Sequence, residues 1–310
     1  MTKTIARIRF RLPRDRRLNS DLKRLVISHE ELPTEFEIVA ADSGSIGDSE
    51  NLVLRSAELP LSEDASRVGG RALLAVLIAA TRLRVGVDLG KDAPSSMLMT
   101  AGLEMIRKAN ALPEDTVVLN DFLGLTLVDA TRPTVFAGMK GGHVIIGKSI
   151  DQFADSFIEG FLVSDKLSKR SQLALELFSA SRFEASLRAR FLILISALES
   201  ITLREERTDD AQQLLLGMKD LLKAASINET DRAQIAGTLS DLQRRSITSS
   251  SKALVRNFCG EEKASFFGKC YQARSQLVHT GLTDFDLGTH LHQLEELVAE
   301  TIMGFVHASA

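Results

Sequence analysis

SRFEASLRARFLILISALESITL, residues 181–203, decides how the chain is built. At helical spacing Phe183, Leu187, Phe191, Leu194, Leu198 and Ile201 fall on one stripe, and Leu192, Ile195 and Leu203 on a second. A helix that is apolar on two sides must be packed on two sides, so this one is expected at the centre of a helical bundle. Further amphipathic helices follow at 211–225, 229–245, 261–279 and 289–306, with Asn228 as the N-cap of the second. From about residue 151 the pattern is helical throughout.

Upstream the periodicity changes. IARIRFRL (5–12) alternates apolar residues with arginine, and FEIVAAD (36–42) and NLVLRSAEL (51–59) are short β-like runs separated by the turn-rich DSGSIGDSE. A helix is expected over 62–85 with Ser62 as its N-cap, and another over 97–112. TVVLND (116–121), LGLTLVDA (123–130), TVFAGM (134–139) and HVIIGKSI (143–150) read as further strands, with MKGGH (139–143) as a hairpin turn. The fold class is therefore α+β: a mixed strand/helix domain over residues 1–165, then an all-α domain over 166–310.

At 310 residues two domains are the natural expectation, and 44% hydrophobic with 25% charged residues describes a globular chain. A net charge of −3 excludes a uniformly basic nucleic-acid binder. The first 24 residues nevertheless carry nine Lys or Arg against two Asp, an excess that suits either phosphate contacts or a charged edge strand that blocks edge pairing. Cys259 and Cys270 lack the paired spacing of a zinc site and read as small buried hydrophobes. No secretory leader opens the sequence and the longest apolar runs fall short of the about 20 residues of a membrane span, so a cytoplasmic, membrane-free protein is expected.

GHVIIGKS (142–149) satisfies the letter of the phosphate-binding P-loop pattern. Val144, Ile145 and Ile146 are β-branched and favour an extended strand over an open loop, so a strand is expected here instead.

YQARSQLVHTG (271–281) closes the 261–279 helix with Gly281 at its C-terminal stop. Phe267, Tyr271, Arg274 and Val278 are expected on one face, with Ser275 and His279 on the next. Five residues give about 500° of rotation, so Arg274 and His279 point about 140° apart. His279 falls in the last turn, where free carbonyls favour a cationic imidazole. Each residue also has a purely structural reading: Arg274 as the partner of Glu199, His279 as a cap, Tyr271 as core.

These residues resemble the HEPN domains, helical bundles of bacterial toxins and antiviral defence proteins that carry an Arg, four to six residues and a His on a late helix. The match is closest to the Apea-like HEPN group, whose Y-x-x-R-S-x-x-V-H-x-G form is met by Tyr271, Arg274, Ser275, Val278, His279 and Gly281. ARFLILISALESI with Glu199 resembles that group's first long helix, and the resemblance covers roughly residues 173–306. Ser275 stands where catalytic members often carry Asn, Asp or His. The resemblance implies a homodimer through the C-terminal helical domain that cleaves RNA without metal or cofactor. Arg274 and His279 would be catalytic, with Ser275, Tyr271 and Glu199 supporting them. The N-terminal domain would then sense a protein or nucleic-acid trigger. The same family also supplies non-catalytic RNA- or protein-binding scaffolds.

Overall fold

The computed structural model describes residues 3–13, 16–41, 44–90, 100–137 and 146–309. It shows a strand-rich N-terminal region followed by a helical C-terminal one, the expected α+β class. The strands β1 (Thr4–Arg11), β3 (Arg24–Ile27), β4 (Phe36–Ala40), β5 (Asn51–Ser56) and β7 (Gly124–Asp129) form an antiparallel sheet in the order β3-β4-β5-β1-β7. Alternation in β1 sends Ala6, Ile8 and Phe10 into the core and Arg7 and Arg9 to the opposite face, where both meet Asp121. β1 is thus an interior strand with a neighbour on each side, and its arginines do not guard a sheet edge.

Across the core face lies α1 (Ser62–Leu83), whose Val68, Ala72, Ala75, Val76, Leu77, Ile78, Ala79 and Ala80 are all buried. The reason is its position: α1 packs on β1 and β7 and also on α3 (Ile150–Val163), α4 (Lys169–Ser181) and α10 (Leu287–Ser309). Small residues let these backbones close up, and a Cβ added at Gly160 of α3 would stand 3.0 Å from the Ile78 side chain and 3.2 Å from the Ala75 Cα. The N-cap of α1 is Leu61 rather than Ser62, and no side chain caps that end. Buried side chains from Ile8 to Val306 belong to one continuous cluster.

Two short pairs complete the strand-rich region. β2 (Arg16–Asn19) runs parallel to β9 (Ile146–Ser149), and β6 (Val117–Asn120) runs parallel to β8 (Thr134–Ala137). Among the described residues β8 and β9 do not pair with each other, and each has a parallel partner elsewhere in the chain. The turn MKGGH and the first half of GHVIIGKS lie outside the described residues. The second half, Ile146–Ser149, is strand, and Ser149 caps α3 by accepting the Gln152 N–H. Of the helix expected over 97–112, α2 covers Thr100–Ala109, and 97–99 also lie outside the described residues.

A 3-10 turn, Ser164–Lys166, leads into the helical region. α4 ends at Ser181 and α5 (Leu187–Ile201) starts anew with Ser186 as N-cap, so the 181–203 stretch is a turn followed by a helix. Phe191, Leu194, Ile195, Leu198 and Ile201 are buried as expected, whereas Leu187 and Leu203, at or beyond its ends, are exposed. Around α5 stand α4, α8 (Ile247–Cys259), α9 (Glu261–Thr280) and α10. The helices α6 (Asp209–Ala224) and α7 (Glu229–Asp241) pack on each other and bury only Leu215 and Leu239. Among the described residues no helix is long and apolar enough to cross a membrane.

Candidate functional site

The end of α9 gathers the residues singled out in the sequence. Gly281 adopts φ 73°, a left-handed conformation that suits glycine, and its N–H returns to the Leu277 carbonyl, so the helix stops where the sequence places the stop. The buried face of α9 is Phe267, Cys270, Ala273 and Leu277. This differs from the expected Phe267, Tyr271, Arg274, Val278 face by a rotation of about one residue: the small Cys270 and Ala273 let α9 approach its neighbours, while Tyr271 and Arg274 move to the flank.

On that flank Glu199 of α5 organises two side chains. The Tyr271 hydroxyl donates to Glu199 Oε1 at 2.8 Å, and Arg274 Nη2 stands 3.8 Å from Glu199 Oε2. The Arg274 guanidinium carbon lies 5.7 Å from the centroid of the Tyr271 ring, so the two also stack loosely. At 3.8 Å the Arg274 contact is an ion pair without a hydrogen bond, and among the described residues its planar fork donates none. The side chain is 31% exposed. Burial, then the hydrogen bond to and charge of Glu199, raise the Tyr271 pKa above its ordinary value, which keeps the phenol protonated as a donor.

His279 is exposed in the last turn of α9, and among the described residues nothing pairs with its ring. Ser275, one turn earlier, is half-buried, and no hydrogen bond among the described residues joins it to His279. Val278 and Leu282 beside it are 52% and 69% exposed. The structure thus brings Glu199, Tyr271 and Arg274 together and leaves His279 a turn away, open to solvent.

Two cavities were not foreseen. One of about 580 Å³ lies between sheet, α1 and α4, where Arg11 pairs with Asp88 at 2.6 Å and faces the Phe183 ring. The other, about 340 Å³, lies on the outer face of the sheet around Arg7. The alternating arginines of β1 were the only sequence signal for either. Compared with known proteins, the chain matches no family model, no curated protein and no solved structure.

Proposed function

We propose that the chain is an endoribonuclease of the HEPN type, acting without metal as a dimer through its C-terminal helical region, in antiphage defence or a toxin-like stress response. One observation carries the reading: Arg274 and His279 both reach solvent at one helix end, beside the exposed apolar pair Val278 and Leu282. Residues that diverge on one helix can converge across a two-fold axis, and exposed apolar side chains beside them favour a partner surface there. RNA supplies its own nucleophile, the 2′-hydroxyl. His279 takes the proton from that hydroxyl or gives one to the leaving oxygen. Arg274, whose guanidinium lies beside Glu199 and the Tyr271 ring without donating a hydrogen bond to either, steadies the phosphate oxygens.

A second reading, a non-catalytic dimerisation and RNA- or protein-binding scaffold, is favoured by the same Glu199 contact, which ties α5 to α9 whether or not chemistry follows. Incubating the purified protein with RNA in the presence of a chelator, beside His279→Ala, separates the two. Cleavage that resists the chelator and disappears in the variant supports the enzyme. Cleavage that survives the substitution removes His279 from the mechanism, and absence of cleavage with retained RNA binding leaves the scaffold.

A further inference from the structure

The face of the sheet turned away from α1 carries more positive charge than its own carboxylates neutralise. Arg7 and Arg9 share one acid, Asp121: Arg7 Nη2 donates to Oδ1 at 2.7 Å, and Arg9 Nε lies 3.1 Å from Oδ2. Arg24 and Arg55 share another, Glu37. Each carboxylate balances only one of its two guanidinia. The register makes this worse, because Arg7 on β1 stands directly opposite Arg55 on β5, a like-charge cross-strand pair.

Arg7 is the most deeply placed of the four, at 8% exposure. The Phe136 ring of β8 covers one face of its guanidinium, 3.7 Å from carbon to centroid, and Nη1 is buried with no hydrogen-bond partner. A buried donor of a cationic group left unpaired is costly and calls for an acceptor. Burial pushes the guanidinium's pKa below its ordinary value, Asp121 offsets part of that, and Arg9 and Arg55 push in the same direction as burial. Arg7 and Arg55 line the cavity of about 340 Å³, together with Asp121, Phe136, Val53 and Val128. That volume falls at the small end of ligand pockets, roughly 300–1,000 Å³.

We propose that this cavity binds a small molecule with one carboxylate or phosphoryl group on a compact apolar body. Arg7 and Arg55 hold the oxyanion, and the body rests on Val53 and Val128. A guanidinium fork matches either anion, and the valines give the apolar part its floor. A nucleic-acid strand fits less well, because a polymer backbone cannot follow its phosphate to a side chain nine-tenths buried beneath a second pair of strands. The proposal stands on the sheet face alone and does not need the nuclease reading.

Titration of the full chain with benzoate, phenyl phosphate, the neutral isostere benzamide, inorganic phosphate and a single-stranded oligonucleotide tests it. At least one of the two aryl anions saturates a single site and raises Tm; which one does distinguishes carboxylate from phosphoryl ligands. Benzamide binds at least about tenfold more weakly, as expected for loss of a charged hydrogen bond. Arg7→Gln and Arg55→Gln each lower the affinity by a similar factor. Arg55 is half exposed, so its variant keeps the test valid if Arg7→Gln fails to fold. Failure of both aryl anions to bind, equal binding of benzamide, indifference to Arg55→Gln, inorganic phosphate binding as well as phenyl phosphate, or displacement of the bound anion by the oligonucleotide each overturns the proposal.

Discussion

Arg182, in the turn after α4, reaches Glu295 in the middle of α10, and both side chains are sealed from solvent at 2% and 5% exposure. Arg190 of α5 meets the other oxygen of the same carboxylate. Gly86, at φ 77°, lies against Arg182 so closely that a Cβ there would come 2.5 Å from its Cγ, which fixes the guanidinium's approach. Removing the acid takes one shared carboxylate from two guanidinia, one of them buried, and breaks a buried ion pair. Glu295→Ala is expected to cost about 3–5 kcal/mol. The neighbouring Glu296→Ala, whose partner Arg84 is 37% exposed, costs about 1 kcal/mol or less. Urea unfolding of the two variants checks the contrast, and equal losses refute it.

Tyr271 is the only tyrosine in the chain, and there is no tryptophan, so phenolate absorbance reports this residue alone. Its titration midpoint is expected above the ordinary 10.0, held up first by burial and then by Glu199. Glu199→Gln lowers the midpoint, and burial keeps it above the ordinary value. The folded value lies above the unfolded one, so the stability gained from the neutral phenol is complete below about pH 10 and is lost as the pH rises through the folded midpoint. A normal midpoint in the native protein contradicts the burial of Tyr271, and a midpoint unmoved by Glu199→Gln contradicts its bond to Glu199.

The two thiols differ in the same way. Cys270 is fully buried in α9 and its pKa is pushed up to about 12 by burial; Cys259 is half-buried, is also raised by burial, and shares a 3.3 Å contact with the Thr301 hydroxyl. At neutral pH a thiol-reactive probe should modify Cys259 slowly and Cys270 only on unfolding. Two equally fast thiols in the native protein would contradict this packing.

The proposed cleavage makes a graded demand on the α9 end. His279→Ala should slow single-turnover cleavage of a labelled RNA by about 100- to 10,000-fold. Arg274→Lys, which keeps the charge but loses the planar fork, should slow it by about tenfold or more. Both sites are open enough that chemical denaturation should show little change. Cleavage unchanged in Arg274→Lys would mean that the fork does not hold the phosphate.

Gly160 offers a test of the core. Gly160→Val pushes two methyl groups into Ile78 and the Ala75 backbone, where the space is already closed at 3.0 Å, and should cost about 1–3 kcal/mol by thermal unfolding. A neutral result would show that α1 and α3 have room to separate.

Signals that act over a few residues are legible in the sequence. The alternation of Ile5 to Leu12 gives β1, the spacing of Phe191 to Ile201 gives α5, Asn228 caps α7 by accepting the Asp231 N–H, and Gly281 ends α9. Pairings between distant segments are not legible in the same way. Nothing near Arg16–Asn19 announces a parallel partner at Ile146–Ser149, and the interior place of β1 depends on β7, more than a hundred residues later. α8 is harder to delimit from sequence because ITSSSKALVRNFC opens on a hydroxyl-rich run that resembles a loop. In the fold Ser246 caps that helix, and Ser251 is buried in a 3.0 Å contact with the Thr202 hydroxyl. At the candidate site the Arg274–Glu199 pairing is legible because an acid beside FLILISAL needs a partner, while the rotation of α9 depends on how closely Cys270 and Ala273 allow it to pack.

The placement of α1 bears on how the chain is made. Its apolar flank is complete once residue 83 has left the ribosome, yet α10, one of the helices that covers it, spans residues 287–309. Until α10 emerges, the part of α1 that it covers stays open on the nascent polypeptide, an apolar surface of the kind that chaperones hold. Slowing translation between those two points should therefore increase chaperone dependence and the fraction lost to aggregation.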